Sequence, residues 1–175
     1  LAPEFPYPAG IDDCQYALTH YRELLSDLNF NEQLIIAGDS GGGAICTTLA
    51  SNNIGNPNVS IDKQILIYPS VDYTMSCDSI EENGQGFLLE QSKISWYFSQ
   101  YFQHDESYRA VSPLFMPMAA SMPETLIFTA GCDPLRDEGI AYGQALSLLG
   151  VNVKQHSFDG MIHAYMLLDS LVAQE

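Results

Sequence analysis

Ser40 lies in Gly38-Asp39-Ser40-Gly41-Gly42, directly after the apolar run Leu34-Ile35-Ile36-Ala37 and before Ala44-Ile45-Cys46-Thr47-Thr48-Leu49-Ala50. A Gly-x-Ser-x-Gly pentapeptide between a β-like run and a helix-like run puts a serine hydroxyl at the tip of a sharp turn, where it can attack an acyl carbon. A serine hydroxyl is a weak nucleophile at neutral pH, so it needs a base to take its proton and a third group to hold that base in the right tautomer. Asp133, in Gly131-Cys132-Asp133-Pro134, and His163, after Asp159-Gly160-Met161-Ile162, each follow a strand-like run and supply those residue types. His163 is then the base, later protonating a leaving alcohol, and Asp133 orients the imidazole and stabilises its charged form.

The glycines around Ser40 have a mechanical role. Gly38 and Gly42 leave room for a tight turn in strained backbone. The turn also places Ser40 at a helix N-terminus, where unpaired N–H groups and the positive dipole end can stabilise an oxyanion. The N–H of Gly41, the residue after the nucleophile, is the candidate oxyanion donor.

Other residues compete for these roles. His20 falls on the first helical pattern, His104 in a polar stretch and His156 inside the last strand-like run, so only His163 lies past a strand end. Asp137, four residues beyond Asp133, is the alternative acid, but Asp133 leaves the strand directly. Asp39 reads as a structural hydrogen-bond acceptor. The same pentapeptide surrounds the serine of trypsin-like proteases, which are disulfide-bonded all-β proteins whose His and Asp precede the serine. The order here is Ser40, Asp133, His163, with helical patterns between the strands, which argues against that reading. A purely structural Gly-rich turn is the remaining plain alternative.

The elements that must position these residues can be read from periodicity. After an entry stiffened by Pro3, Pro6 and Pro8, residues Ile11, Cys14, Leu18, Tyr21, Leu25 and Leu28 recur at three- and four-residue steps and predict an amphipathic helix. Strands are predicted at 33–37, 65–68, 125–130 and 151–158. Helices are predicted from the Ser40 turn to about Ala50, over 90–102, and over 135–149, the last opening with acidic Asp137 and Glu138 and closing at Gly150. A turn over Asp159–Ile162 and a final apolar helix from His163 follow. Alternating strands and helices with continuously apolar strands imply an α/β fold, a mostly parallel sheet flanked by helices on both faces. Ligands bind such sheets at the carboxyl ends of their strands, where Ser40, Asp133 and His163 all fall. From 70 to 122 the periodicity weakens while Phe87, Trp96, Tyr97, Phe98, Tyr101 and Phe102 accumulate. So long a stretch without strands reads as an inserted lid or cap over the site, the alternative being an excursion whose aromatics pack on the core.

Composition narrows the partners. With 175 residues, 46% of them hydrophobic, the chain supports a single globular domain with a substantial core. A net charge of −16 argues against nucleic acid or an anionic membrane as a partner. Cys14, Cys46, Cys77 and Cys132 are widely spaced, without Cys-x-x-Cys or metal-ligand spacing. They read as free thiols, with Cys14 and Cys46 on apolar helical faces, and fit a reducing cytoplasm. No apolar run of roughly 18 residues is visible, and no signal peptide. The chain begins at Leu1, so the sequence is silent on any targeting segment upstream.

Four segments, Leu1-Ala2-Pro3-Glu4-Phe5-Pro6-Tyr7-Pro8-Ala9, Gly38-Asp39-Ser40-Gly41-Gly42-Gly43, Asp133-Pro134-Leu135-Arg136-Asp137-Glu138-Gly139 and Gly160-Met161-Ile162-His163-Ala164-Tyr165, closely resemble the hormone-sensitive-lipase-like family of α/β-hydrolases. They stand in that family's order along essentially the whole chain, and most of its members are bacterial carboxylesterases. The resemblance implies Ser40 as nucleophile, Asp133 as acid and His163 as base. It also implies hydrolysis of small-molecule esters with short- to medium-chain acyl groups, without a metal or organic cofactor. The family carries an upstream His-Gly-Gly-Gly segment that completes its oxyanion hole, and earlier strands; nothing like either occurs here. These residues are therefore expected to be the C-terminal, catalytic part of a longer enzyme. Alone they are expected to be nearly inactive, since one missing oxyanion donor costs about 10²–10³ in turnover. The first strand is expected at an unprotected apolar edge prone to association, which leaves a homo-oligomer open. A serine peptidase or amidase of the same fold and a non-catalytic hydrolase-fold binding protein are the alternative functions; the presence of His163 speaks against the second.

Overall fold

The computed structural model describes residues 1–168. Its elements in chain order are α1 (Ala9–Leu24), β1 (Ile35–Asp39), α2 (Gly41–Asn52), β2 (Lys63–Ile67), α3 (Ser79–Glu82), α4 (Gln91–Tyr101), α5 (Tyr108–Val111), β3 (Glu124–Cys132), α6 (Arg136–Leu148) and β4 (Val153–Ile162). The strands pair in the order β1-β2-β3-β4, all parallel. Parallel neighbours need a long crossover; α2 and α6 supply two of the three, and the 70–122 segment supplies the other.

Leu66 and Ile127, fully buried in the central strands, meet Cys46 and Ala50 of α2 and Tyr142 and Leu146 of α6 in the main core. Each leucine or isoleucine fully buried there contributes about 1.5–3 kcal/mol. Ile11 and Leu18 of α1 pack outside α2, against Leu49 and Val59. Ile65, Ile67, Leu126 and Phe128, on the alternate positions of β2 and β3, are only half-buried by the described residues. β1 lies at one edge of the described sheet, with Ile35 exposed.

Several boundaries differ from the sequence expectation. α1 ends at Leu24, and Leu25 and Leu28, counted into its apolar stripe, are exposed. β1 runs two residues further than predicted because pairing with β2 continues to Asp39↔Ile67, so Ser40 is the first residue past the strand. The turn expected over Asp159–Ile162 is instead part of β4. There the register slips from Ala130↔Phe158 to Cys132↔Ile162, a bulge that keeps the strand heading toward His163. Gly131 permits it, since a Cβ at that position would run into the Asp159 backbone. Past His163 the chain makes a 3₁₀ turn over Tyr165–Leu167; the rest of the expected terminal helix lies outside the described residues.

In the 70–122 segment, Tyr73, Ile80, Leu89, Ile94, Phe98 and Phe102 form a second cluster with Ala44 and Leu135. Tyr73 meets Phe98 edge to face, ring centroids 5.2 Å apart. Phe87, Leu88, Trp96 and Tyr97 are exposed. Pro69, at the root of the segment, is approached from both sides. A Cβ on Gly43 of α2 would lie 2.7 Å from its Cβ, and one on Gly139 of α6 would lie 3.5 Å from its Cδ.

Glu138 is not the solvated helix-start acid its position suggested. It is completely buried, and its Oε1 accepts hydrogen bonds from the Val71 N–H at 2.7 Å and the Asp72 N–H at 3.1 Å. Burial raises its carboxyl well above the ordinary glutamate range, against the lowering effect of those two bonds, and the charges of Asp72 and Asp133 add to the rise. A raised folded-state pKa makes its contribution to stability complete below the unfolded value and lost as pH climbs through the folded one. Glu138→Gln keeps the Oε1-type acceptor without the charge, so its stability relative to the parent is expected to improve from pH 5 to pH 8. Glu138→Ala, which strands two interior N–H groups, is expected to lose about 2–4 kcal/mol. Urea unfolding at both pH values measures this; an unchanged pH slope in Glu138→Gln excludes the buried carboxyl as its source.

Candidate active site

Ser40 has φ 51° and ψ −116°, a conformation that costs a non-glycine residue about 1–3 kcal/mol and persists only where the surroundings impose it. The imposition comes from β2 and the chain just past it. The Ser40 N–H donates to the Ile67 carbonyl at 2.9 Å, and its own carbonyl accepts from Ser70 N at 3.1 Å and Ala44 N at 3.2 Å. Gly38 makes the turn sterically possible, because a Cβ there would enter the backbone of Gly42 and Gly43.

The ends of β1, β3 and β4 converge on one point. The Ser40 hydroxyl, past β1, lies 2.9 Å from His163 Nε2, past β4. His163 Nδ1 lies 2.8 Å from Asp133 Oδ2, past β3. Asp133 is completely buried, and its Oδ1 accepts from the Leu135 N–H at 2.9 Å, so each carboxylate oxygen has one defined partner. His163 is buried and Ser40 half-buried, leaving the serine as the member nearest solvent. Gly41 opens α2, where the first N–H groups have no acceptor within the helix. Such an arrangement can pass a proton from the hydroxyl to the imidazole while the carboxylate balances the charge that forms.

The competing residues lie elsewhere. His20 Nδ1 contacts the Tyr16 carbonyl on α1, His104 is exposed beyond α4, and the ring of His156 in β4 stacks on Phe128 of β3. Asp137 receives the Arg136 Nε at 2.8 Å and the Ser79 N–H at 2.9 Å; the Arg136 bond, foremost, holds its carboxyl below the usual aspartate range. The expected role of Asp39 as a structural acceptor is not met, since its exposed carboxylate accepts no hydrogen bond among the described residues. Of the cysteines, none of which is bridged, only Cys46 is fully buried, and burial pushes its thiol up to about 11; Cys14 is half-buried.

Sequence reasoning passed over Tyr68. It directly follows β2, adopts φ 36°, and packs its ring 4.7 Å from the His163 ring and 5.4 Å from Tyr165. Its buried hydroxyl has no partner among the described residues, and burial, followed by the charge of Asp39, pushes it up to about 12. The rule that strand ends carry the site pointed to this position as well, but a tyrosine before proline offered no reactive signature. Among the described residues no group of His, Cys, Asp and Glu could hold a metal ion, and no helix is long and apolar enough to cross a membrane.

A family model for the alpha/beta hydrolase fold matches residues 1–167. The chain belongs to the hormone-sensitive-lipase-like family of α/β-hydrolases. Within this family it is 32% identical to an ethyl acetate hydrolase of Pseudomonas putida, over 99% of this chain and 56% of that protein. It is 34% identical to the esterase LipI of Mycobacterium tuberculosis, over 95% and 53%. A hyperthermophilic esterase of the archaeon Pyrobaculum calidifontis superposes with a TM-score of 0.91 at 29% identity, over 98% of this chain and 58% of that one. The chain thus spans about half the length of the hormone-sensitive-lipase-like relatives it matches.

Proposed function

We propose that the full-length protein is a serine carboxylesterase acting on short- to medium-chain esters through an acyl-enzyme on Ser40, without a metal or organic cofactor. The observation that carries this is the unbroken hydrogen-bonded path from the Ser40 hydroxyl through His163 to Asp133. As Oγ attacks the ester carbonyl carbon, its proton passes to His163 Nε2 and the carbonyl oxygen becomes an oxyanion facing the Gly41 N–H. Collapse of the tetrahedral adduct breaks the ester C–O bond, and His163 returns the proton to the departing alcohol. Water then attacks the acyl-serine, gives its proton to Nε2, and releases the acid with the serine restored. Relatives named as ethyl acetate hydrolase and esterase support the substrate class.

Further features belong to the same reading. Four unbridged thiols support a cytoplasmic location, and the acidic charge disfavours nucleic acid and anionic membranes as partners. Exposed Phe87, Leu88, Trp96 and Tyr97 support a lid role for the 70–122 segment. The test is a series of p-nitrophenyl esters from acetyl to dodecanoyl, with matching p-nitroanilides, assayed on the full-length protein. Esters are expected to turn over, with kcat/KM highest among the shorter chains, and anilides to be cleaved far more slowly. Anilide cleavage on a par with the esters assigns an amidase instead, and ligand binding without turnover assigns a binding protein.

A further inference from the structure

The loop that carries Asp133 belongs to neither β3 nor α6, so its backbone must find partners elsewhere. Many of them come from one place, the short helix α3 and the asparagine that ends it. Ser79 Oγ donates to the Pro134 carbonyl at 2.7 Å and accepts from the Asp137 N–H at 3.1 Å. The Ser79 N–H donates to Asp137 Oδ2 at 2.9 Å. Asn83 Nδ2 donates to the carbonyls of both Gly131 and Asp133, each at 3.3 Å. Arg136 closes the group by pairing with Glu82 at 2.7 Å while donating to the Gly131 carbonyl at 3.2 Å. Ser79 and Asn83 are both buried, so these bonds form where water cannot substitute for them.

α3 is itself anchored. Ile80, between the two polar residues, is buried in the aromatic cluster with Tyr73, Ile94, Phe98 and Phe102. The 70–122 segment therefore grips the Asp133 loop by its main chain through a helix fixed in a packed core. On the loop's other flank, Asp133 Oδ2 must stay within 2.8 Å of His163 Nδ1. A misplacement of about 1 Å in such an arrangement costs about 10²-fold in rate.

We infer that Ser79 and Asn83 are positioning residues that clamp the Asp133 loop and so hold the carboxylate against His163. The inference deepens the serine-hydrolase reading and rests on it for its effect on rate, though not for its effect on geometry. Its test uses Ser79→Ala, Asn83→Ala and Asn83→Ser in the full-length protein. Two readouts are taken: the downfield proton resonance of the His163 Nδ1–H, and kcat and KM for p-nitrophenyl acetate. The resonance is expected to weaken and move upfield in each variant, and kcat to fall by about 10–100-fold with KM changed by less than about twofold. A resonance and kcat that stay at parental values, even with a lowered Tm, overturn the clamp. A KM that rises while kcat holds does the same. Should Asn83→Ala not fold, Ser79→Ala and Asn83→Ser decide the matter alone. If the parent protein shows the resonance but hydrolyses no ester, the esterase reading fails while the resonance still decides the clamp.

Discussion

Ser40→Ala in the full-length protein is expected to lower kcat for p-nitrophenyl acetate by about 10⁴–10⁶-fold while KM changes little. The size of the effect follows from what a single oxygen does. Without Oγ no acyl-enzyme can form, and His163 Nε2, 2.9 Å away, has no proton to accept. The substitution leaves the backbone as it was, because alanine meets the same steric demand as serine at φ 51° and the bonds to Ile67, Ser70 and Ala44 are all main-chain. Residual hydrolysis over water comes from oxyanion stabilisation and binding alone. Steady-state assays joined to a burst-phase measurement check this; turnover within tenfold of the parent would remove Ser40 as nucleophile.

Asp133→Asn is expected to cost about 10⁴-fold in kcat, whereas Asp137→Asn costs less than about tenfold. The asymmetry comes from hydrogen-bond polarity. The Leu135 N–H requires an acceptor at the Oδ1 position, so the amide oxygen of an asparagine settles there and its NH₂ faces His163 Nδ1. The imidazole then carries its proton on Nε2, pointing at Ser40, and cannot act as the base. Asp137 instead pairs with Arg136, and part-exposed ion pairs contribute about 0–1 kcal/mol. Its Ser79 contact survives in the asparagine variant. Equal losses in the two variants would refute the distinction.

What could be read before folding was local. Ser40, Asp133 and His163 each follow a short apolar run, so their places past strand ends were visible in the spacing. Pairings between distant segments were not. The bulge that carries β4 to His163 exists because Gly131, far back along the chain, lets the Asp159 backbone approach. Glu138 sat where acidic residues favour a helix dipole, and only the fold reveals two N–H groups from the β2 exit waiting for it. Ser79 and Asn83 fall in the aperiodic 70–122 stretch, where neither a helical nor a strand repeat marks a polar residue as buried. α1 differed the other way: its leucine spacing continued past Leu24, but Leu25 and Leu28 are exposed.

The crowding at Pro69 bears on how this protein can be engineered. A side chain at Gly43 would enter the Pro69 ring, and one at Gly139 would crowd the Thr129 methyl at 3.1 Å, so the ground beneath the catalytic residues has little slack at either helix. Combinatorial libraries should leave those three codons untouched and randomise 87, 88, 96 and 97, whose side chains are exposed.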